Sequence, residues 1–248
     1  MKKLLLSLFC ALTFNHALAD DIAIAVAANF AAPMEEIAEA FNQITGHRLK
    51  ISTGASGKFY AQIRNGAPFQ VFLSADQEKP EQLEKDGLAV QGTRFTYAIG
   101  KLALWSADPD KVDNKGKVLE SGRFNKIAIA NPKTAPYGEA AIETLSALKL
   151  KTRLEPKFVM GENISQTHQF VASGNAELGF VALSQISRNN QLTGGSMWLV
   201  PEKLYSPIKQ DAVLLLTGKD SAAARQLLAF LKSDRAVRII QSFGYGIH

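Results

Sequence analysis

RLKISTGASGKFYAQIRNG, Arg48 to Gly66, reads as a strand, a glycine-rich turn and a helix in immediate succession. RLKIS is a short strand pattern, and FYAQIRNG is helical and closed by a glycine. Gly54 and Gly57 flank Ser56, and Lys58 follows. Glycines allow a turn that a side chain would block. A helix opening on such a turn directs backbone N–H groups and partial positive charge outward. Two readings of the turn stand side by side: a site for an anion, or Ser56 capping its own helix while Gly57 permits the turn.

A nucleotide site does not fit. The phosphate loop is Gly-x-x-x-x-Gly-Lys followed by Ser or Thr. With Gly57 and Lys58 in place, its leading glycine falls on Ser52 and its magnesium-holding hydroxyl falls on Phe59.

Working outward, the same strand–turn–helix unit recurs. IAIAVAA (Ile22 to Ala28) is a buried strand pattern. FAAPMEEIAEAFNQITG follows as a helix with Met34, Ile37, Ala38, Phe41 and Ile44 on one face and Gly46 as its stop. FQVFLSA, FTYAIGKLALWS, KIAIANP, KFVMG, LGFVALS and DAVLLLTG read as further strands. PEQLEKDG, YGEAAIETLSALKL, SQTHQFVASG, SAAARQLLAFLKS and DRAVRIIQSFG read as helices. No repeat or linker-like tract interrupts them. Alternation of this kind predicts an α/β protein with mostly parallel sheets covered by helices. Right-handed crossovers then bring the strand C-termini to one edge, where ligands bind.

The N-terminus points to export. Lys2 and Lys3 precede the apolar run LLLSLFCAL, and Ala17 to Ala19 offers a small-residue cleavage site. That pattern predicts a secretory signal peptide over 1–19 and an exported mature chain. Asn15 and His16 break the run too early for a membrane span. Cleavage after Ala19 removes Cys10, the one cysteine, so neither a disulfide nor thiol chemistry is expected. The chain carries 28 basic and 23 acidic residues, net +5, and two of the lysines leave with the leader. So mild and dispersed a charge argues against nucleic acid as partner.

Four strand-to-helix junctions share one character: AANF (Ala27 to Phe30), GASG (Gly54 to Gly57), NPKTAPYG (Asn131 to Gly138) and GENISQ (Gly161 to Gln166). All are rich in small, amide or hydroxyl residues, and none holds an arginine. Asn29 can donate through its side-chain amide or simply cap its helix. Tyr137, after the first-turn proline Pro136, can donate into a cleft or pack half-buried.

The sequence resembles the periplasmic molybdate-binding proteins that deliver to ATP-binding cassette transporters. AVAANF, ISTGASGKFYAQIRNGAPFQVFLSADQEKPEQL, RFTYAIGKLALWS, IAIANPKTAPYGEAA and ASGNAELGFVALSQI carry the resemblance along nearly the whole chain. It implies a type II periplasmic-binding-protein-like fold, with two lobes, a cleft between them and a two-strand hinge. Lobe 1 is expected over 20–99 and 206–248, and lobe 2 over 100–205. The resemblance further implies an oxyanion, molybdate and also tungstate, held by neutral donors. Ser56 would give its hydroxyl and N–H, Tyr137 its hydroxyl, Asn29 a donor and Ile164 a backbone N–H. Ala28 stands where relatives carry a hydroxyl residue, so only its backbone can serve. Ala182 stands where another branch has a ligand tyrosine. No cofactor and no free cation site are implied. The expected partner is an inner-membrane permease, and the expected state is a monomer.

Other classes find less support. Among the few histidines, His168 lies near Ile164, but Ser56 has no evident base-and-orienter pair. Asp76 and Glu78 read as a solvated loop more readily than a metal site. A sulfate or other oxyanion receptor is the alternative within the binding class.

Overall fold

A computed structural model describes residues 19–247. Residues 1–18, which hold all but the last residue of the expected signal peptide (1–19), and His248 lie outside the described residues. The chain runs β1 (Asp21–Ala27), a 3-10 turn (Ala28–Phe30), α1 (Ala31–Thr45), β2 (Arg48–Gly54), α2 (Ser56–Arg64), β3 (Val71–Leu73), α3 (Glu78–Lys85) and β4 (Phe95–Gly100). It crosses to a second sheet as β5 (Leu102–Ser106), then α4 (Lys117–Ser121), β6 (Ile127–Ala130), α5 (Pro136–Ala147), α6 (Lys151–Leu154), β7 (Phe158–Gly161), α7 (Ile164–Ala172) and β8 (Leu178–Ala182). The hairpin β9 (Ser187–Arg188) and β10 (Gln191–Leu192) leads into β11 (Ser196–Leu199). The chain returns as β12 (Ile208–Leu214) and ends in α8 (Ala222–Leu231) and α9 (Asp234–Ser242).

The first sheet has the order β2-β1-β3-β12-β4, and the second β11-β5-β8-β6-β7. They are built alike. β1 in the first sheet and β6 in the second each lie between two parallel neighbours. The remaining pairings, β3–β12–β4 and β8–β5–β11, are antiparallel. Half of each sheet is therefore antiparallel where mostly parallel sheets were expected. The hinge supplies the reason. β5 and β12 enter their lobes from the cleft and run away from it, whereas β1, β2, β6 and β7 end at it.

Local sequence explains the elements. β1 is buried from Ile24 to Ala27, as a central strand covered on both faces must be. α1 buries Met34, Ile37, Ala40 and Phe41, and Gly46 closes it in the left-handed conformation, φ 76°, its amide donating to Asn42 O. Ile44 belongs to the same face by angle but is 59% exposed, so the covering elements stop short of the last turn. β1, β3, β12, α1, α8 and α9 enclose one core. β5, β6, β8 and α5 enclose another, which also touches Ala27, Ala28 and Ala75 of the first lobe. Among the described residues no helix is long and apolar enough to cross a membrane.

Phe72, on central strand β3, is fully buried and packs with Phe59. Phe72→Ala is expected to cost about 3–5 kcal/mol of stability. The urea midpoint should fall at unchanged slope.

Candidate functional site

The connections leaving β1, β2, β6 and β7 meet between the lobes. Ala27, Ala28, Asn29, Gly54, Ala55, Ser56, Ala75, Ala135, Pro136, Tyr137, Asn163 and Ile164 line the space they enclose. No charged side chain is among them. The cavity is about 10 Å³, room for about one water-sized body, so it suits nothing larger than a compact ion. A wider surface groove between α1 and α9 is open to solvent, and its Arg188 and Glu36 pair with each other at 2.7 Å.

Ser56 is the first residue of α2 and is buried. It does not cap its own helix; Ala55 holds the cap position without a side-chain bond. Instead Ser56 Oγ accepts the Ala75 N–H at 2.9 Å. Tyr137, in the first turn of α5 behind Pro136, is 1% exposed, and its hydroxyl accepts the Gln210 amide N–H at 3.2 Å. A hydroxyl carries one hydrogen and two lone pairs. Each of these spends a lone pair inward. Ser56 gives its hydrogen to no other protein group among the described residues, and Tyr137 makes no well-aligned donation, though its hydroxyl lies close enough to Tyr245 to hold down that phenol's pKa. Burial in apolar surroundings pushes the Tyr137 phenol well above its usual pKa, so it stays a neutral donor.

Ile164 opens α7. Asn163 caps that helix, its Oδ1 accepting from Ser165 N at 2.9 Å and Gln166 N at 3.0 Å. The first amides of a helix have no acceptor within it, so those of Ser56 and Ile164 are available to the pocket. Ala28 also lines the pocket, while its carbonyl accepts Ser165 Oγ at 3.2 Å.

Asn29 lines the pocket too, but not as a side-chain donor. Its Nδ2 donates to Gln210 Oε1 at 2.8 Å and to Tyr245 Oη at 2.9 Å, so both amide hydrogens are used within the protein. Ala182 is not among the lining residues, and its N–H donates to Gln185 Oε1. His168 stacks on Trp105, ring centroids 4.9 Å apart, and is not among the lining residues either. Asp76 pairs with Lys79 at 2.6 Å. Among the described residues no group of three His, Cys, Asp or Glu side chains can hold a metal ion.

Sequence reading missed the layer behind the pocket. Gln210, Tyr97, Tyr245 and Ser184 are buried and join Asn29 in one polar network. Ser184 Oγ donates to the Asn29 carbonyl at 2.9 Å, linking the lobes. Such residues form no motif, because they lie far apart in the chain and meet only through the fold. At the pocket rim Gly57 N–H donates to Thr134 O at 2.9 Å, again across the lobes. A Cβ on Gly57 would lie 3.0 Å from Thr134 Cα and 3.1 Å from its carbonyl oxygen. Gly57 sits within helix α2, so close approach rather than an unusual turn is what requires it.

Two α/β lobes, joined by two crossings and meeting over a small pocket of neutral donors, define a cleft-type binding protein for a small anion. Comparison with known proteins makes the class specific. The family model described as bacterial extracellular solute-binding protein matches residues 22–246, and the chain belongs to that family. It is 53% identical over 247 residues to the molybdate-binding protein ModA of Azotobacter vinelandii, covering 100% of this chain and 98% of the relative. Identity to the ModA of Rhodobacter capsulatus is also 53%, over 229 residues, covering 92% and 89%. The solved structure of an Azotobacter vinelandii periplasmic molybdate-binding protein superposes with a TM-score of 0.89 at 45% identity, covering 92% of this chain and 99% of that one.

Tyr97, Tyr137 and Tyr245 are all raised above the ordinary phenol value, chiefly by burial. The unfolded chain therefore releases these protons first as pH rises through about 10. This contribution leaves stability flat below that pH. Above it, stability should fall by up to about 1.4 kcal/mol per pH unit for each tyrosine. Urea midpoints taken from about pH 8 to about pH 11 should show the break.

Proposed function

We propose that this protein is the periplasmic receptor of an ABC importer for molybdate, and that it takes tungstate as well. The carrying observation is the pocket itself: four helix starts, no charged side chain, and two hydroxyls whose inward bonds leave their hydrogens free. Ser56 donates through hydroxyl and N–H, Tyr137 through its hydroxyl, and Ile164, Asn29 and Ala28 through the backbone. Lobe 1 comprises 20–99 and 206–248, lobe 2 comprises 100–205, and the lobes open and close about the crossings. The mature chain acts in the periplasm as a monomer after loss of its leader and hands the ion to the inner-membrane permease. It performs no chemistry on the ion and uses no cofactor.

Neutral donors suffice energetically. A hydrogen bond to a charged group contributes about 1.5–3 kcal/mol, and each helix start adds about 0.3–1 kcal/mol. Several together exceed the roughly 8 kcal/mol of micromolar binding after association costs. They also select. A protonated oxyanion turns its hydrogen toward another donor, which disfavours phosphate at neutral pH. Sulfate is fully ionised but smaller, and donors fixed on packed helices cannot follow it inward. An unmade buried bond then costs about 1–3 kcal/mol.

Calorimetry should show tight binding of molybdate and tungstate, weaker binding of sulfate and none of phosphate. Binding of sulfate alone would overturn the molybdate reading and leave the cleft. Ser56→Ala and Tyr137→Phe should each weaken molybdate binding by about tenfold to a hundredfold. Undiminished affinity in both would misplace the site. Gly57→Ala should leave the fold intact and speed molybdate release about tenfold in stopped-flow, since overpacking costs about 1–3 kcal/mol.

A further inference from the structure

Gln210 touches no pocket-lining space, yet it holds the hydroxyl that does. Its side chain is fully buried. Its Oε1 accepts from Asn29 Nδ2 at 2.8 Å and shares the single Tyr97 hydroxyl hydrogen with the Ser74 carbonyl, each at 3.0 Å. With the oxygen end pinned, the Nε2 end must face Tyr137, and it donates to that hydroxyl at 3.2 Å.

Two features of the backbone serve this contact. The register of β12 against β4 shifts between Gln210 and Asp211. The residue left without a partner is Tyr97 of β4, since Gln210 pairs with Ala98 and Asp211 with Thr96. On β12 the two successive side chains take opposite faces, as on a regular strand, and both are buried. Asp211 turns to Arg94 and Thr96, at 2.6 and 2.7 Å, while Gln210 turns to the lobe interface and meets the Tyr97 hydroxyl. Gly100, where β4 ends at the first crossing, makes the room: a Cβ there would lie 2.1 Å from Tyr137 Oη and 2.6 Å from Gln210 Nε2.

We infer that Gln210 is a specificity-determining positioning residue: by donating to Tyr137 Oη it forbids the phenol hydrogen from pointing inward and keeps the pocket donor-only. This rests on the reading that Tyr137 faces the bound oxyanion. The consequence is chemical. A phenol free to rotate can turn a lone pair toward the pocket and accept the proton of hydrogen phosphate. A phenol held by Gln210 cannot.

The test is calorimetry with sodium molybdate and with inorganic phosphate at neutral pH, on the full mature chain. Gln210→Met keeps length and removes the amide. Gln210→Glu puts an acceptor where the donor was, so that it competes for the phenol hydrogen. Melting curves establish that each variant folds. Gln210→Met should weaken molybdate about tenfold and leave phosphate unchanged or tighter, narrowing the discrimination. Gln210→Glu should weaken molybdate by about a hundredfold or more. In a Tyr137→Phe background Gln210→Met should have no further effect, as coupled residues in a double-mutant cycle behave. Equal weakening of both ions, or a full extra loss in the Tyr137→Phe background, would overturn the assignment and leave Gln210 a packing residue. If Tyr137→Phe alone binds molybdate like the parent, the site reading fails first, and the role of Gln210 falls with it.

Discussion

The fold depends at its centre on how a hydroxyl divides its hydrogen-bonding capacity. Ser56 and Tyr137 each accept a bond from inside the protein, from the Ala75 amide and from Gln210. Each keeps one hydrogen to give. Combined with helix-start amides that have no intrahelical acceptor, this yields a cavity lined mainly by neutral donors. An ion with only lone pairs on its surface satisfies every group. Water or a protonated anion satisfies fewer.

Such a cavity is costly to assemble, because buried polar groups need partners. The molecule meets the requirement by placing a second polar layer behind the first. Asn29, Tyr97, Gln210, Tyr245 and Ser184 satisfy one another there, and the two lobes share the layer through Ser184 and Gln210. The two-lobed architecture explains why the parts can meet. In each lobe the two strands that carry the site end at the cleft, and strands arriving from the other lobe run the opposite way. The mixed sheets follow from that traffic.

Much of this was legible beforehand. The four junctions were visible as clusters of small, amide and hydroxyl residues after strand patterns, and all four line the pocket. Ser56, singled out by the glycines beside it, and Tyr137, by the proline before it, are both at that pocket. The role given to the Asn29 side chain was not correct, since sequence cannot tell that Gln210 and Tyr245 wait to take its hydrogens. β11 and the β9–β10 hairpin escaped reading because two- to four-residue strands carry too little periodicity. Gln210 escaped for another reason: its importance comes from Asn29, Tyr97 and Tyr137, which lie far from it in the chain, and no residue pattern announces them.

The contact between Gly57 and Thr134 has a consequence for the conditions under which the cleft stays shut. The bond there joins two backbone groups of zero net charge. Nearby, Lys58 and Glu162 bridge the lobes at 2.7 Å, but both are largely exposed, and mobile ions screen such pairs. Closure written in peptide groups and in a missing side chain is therefore insensitive to ionic strength.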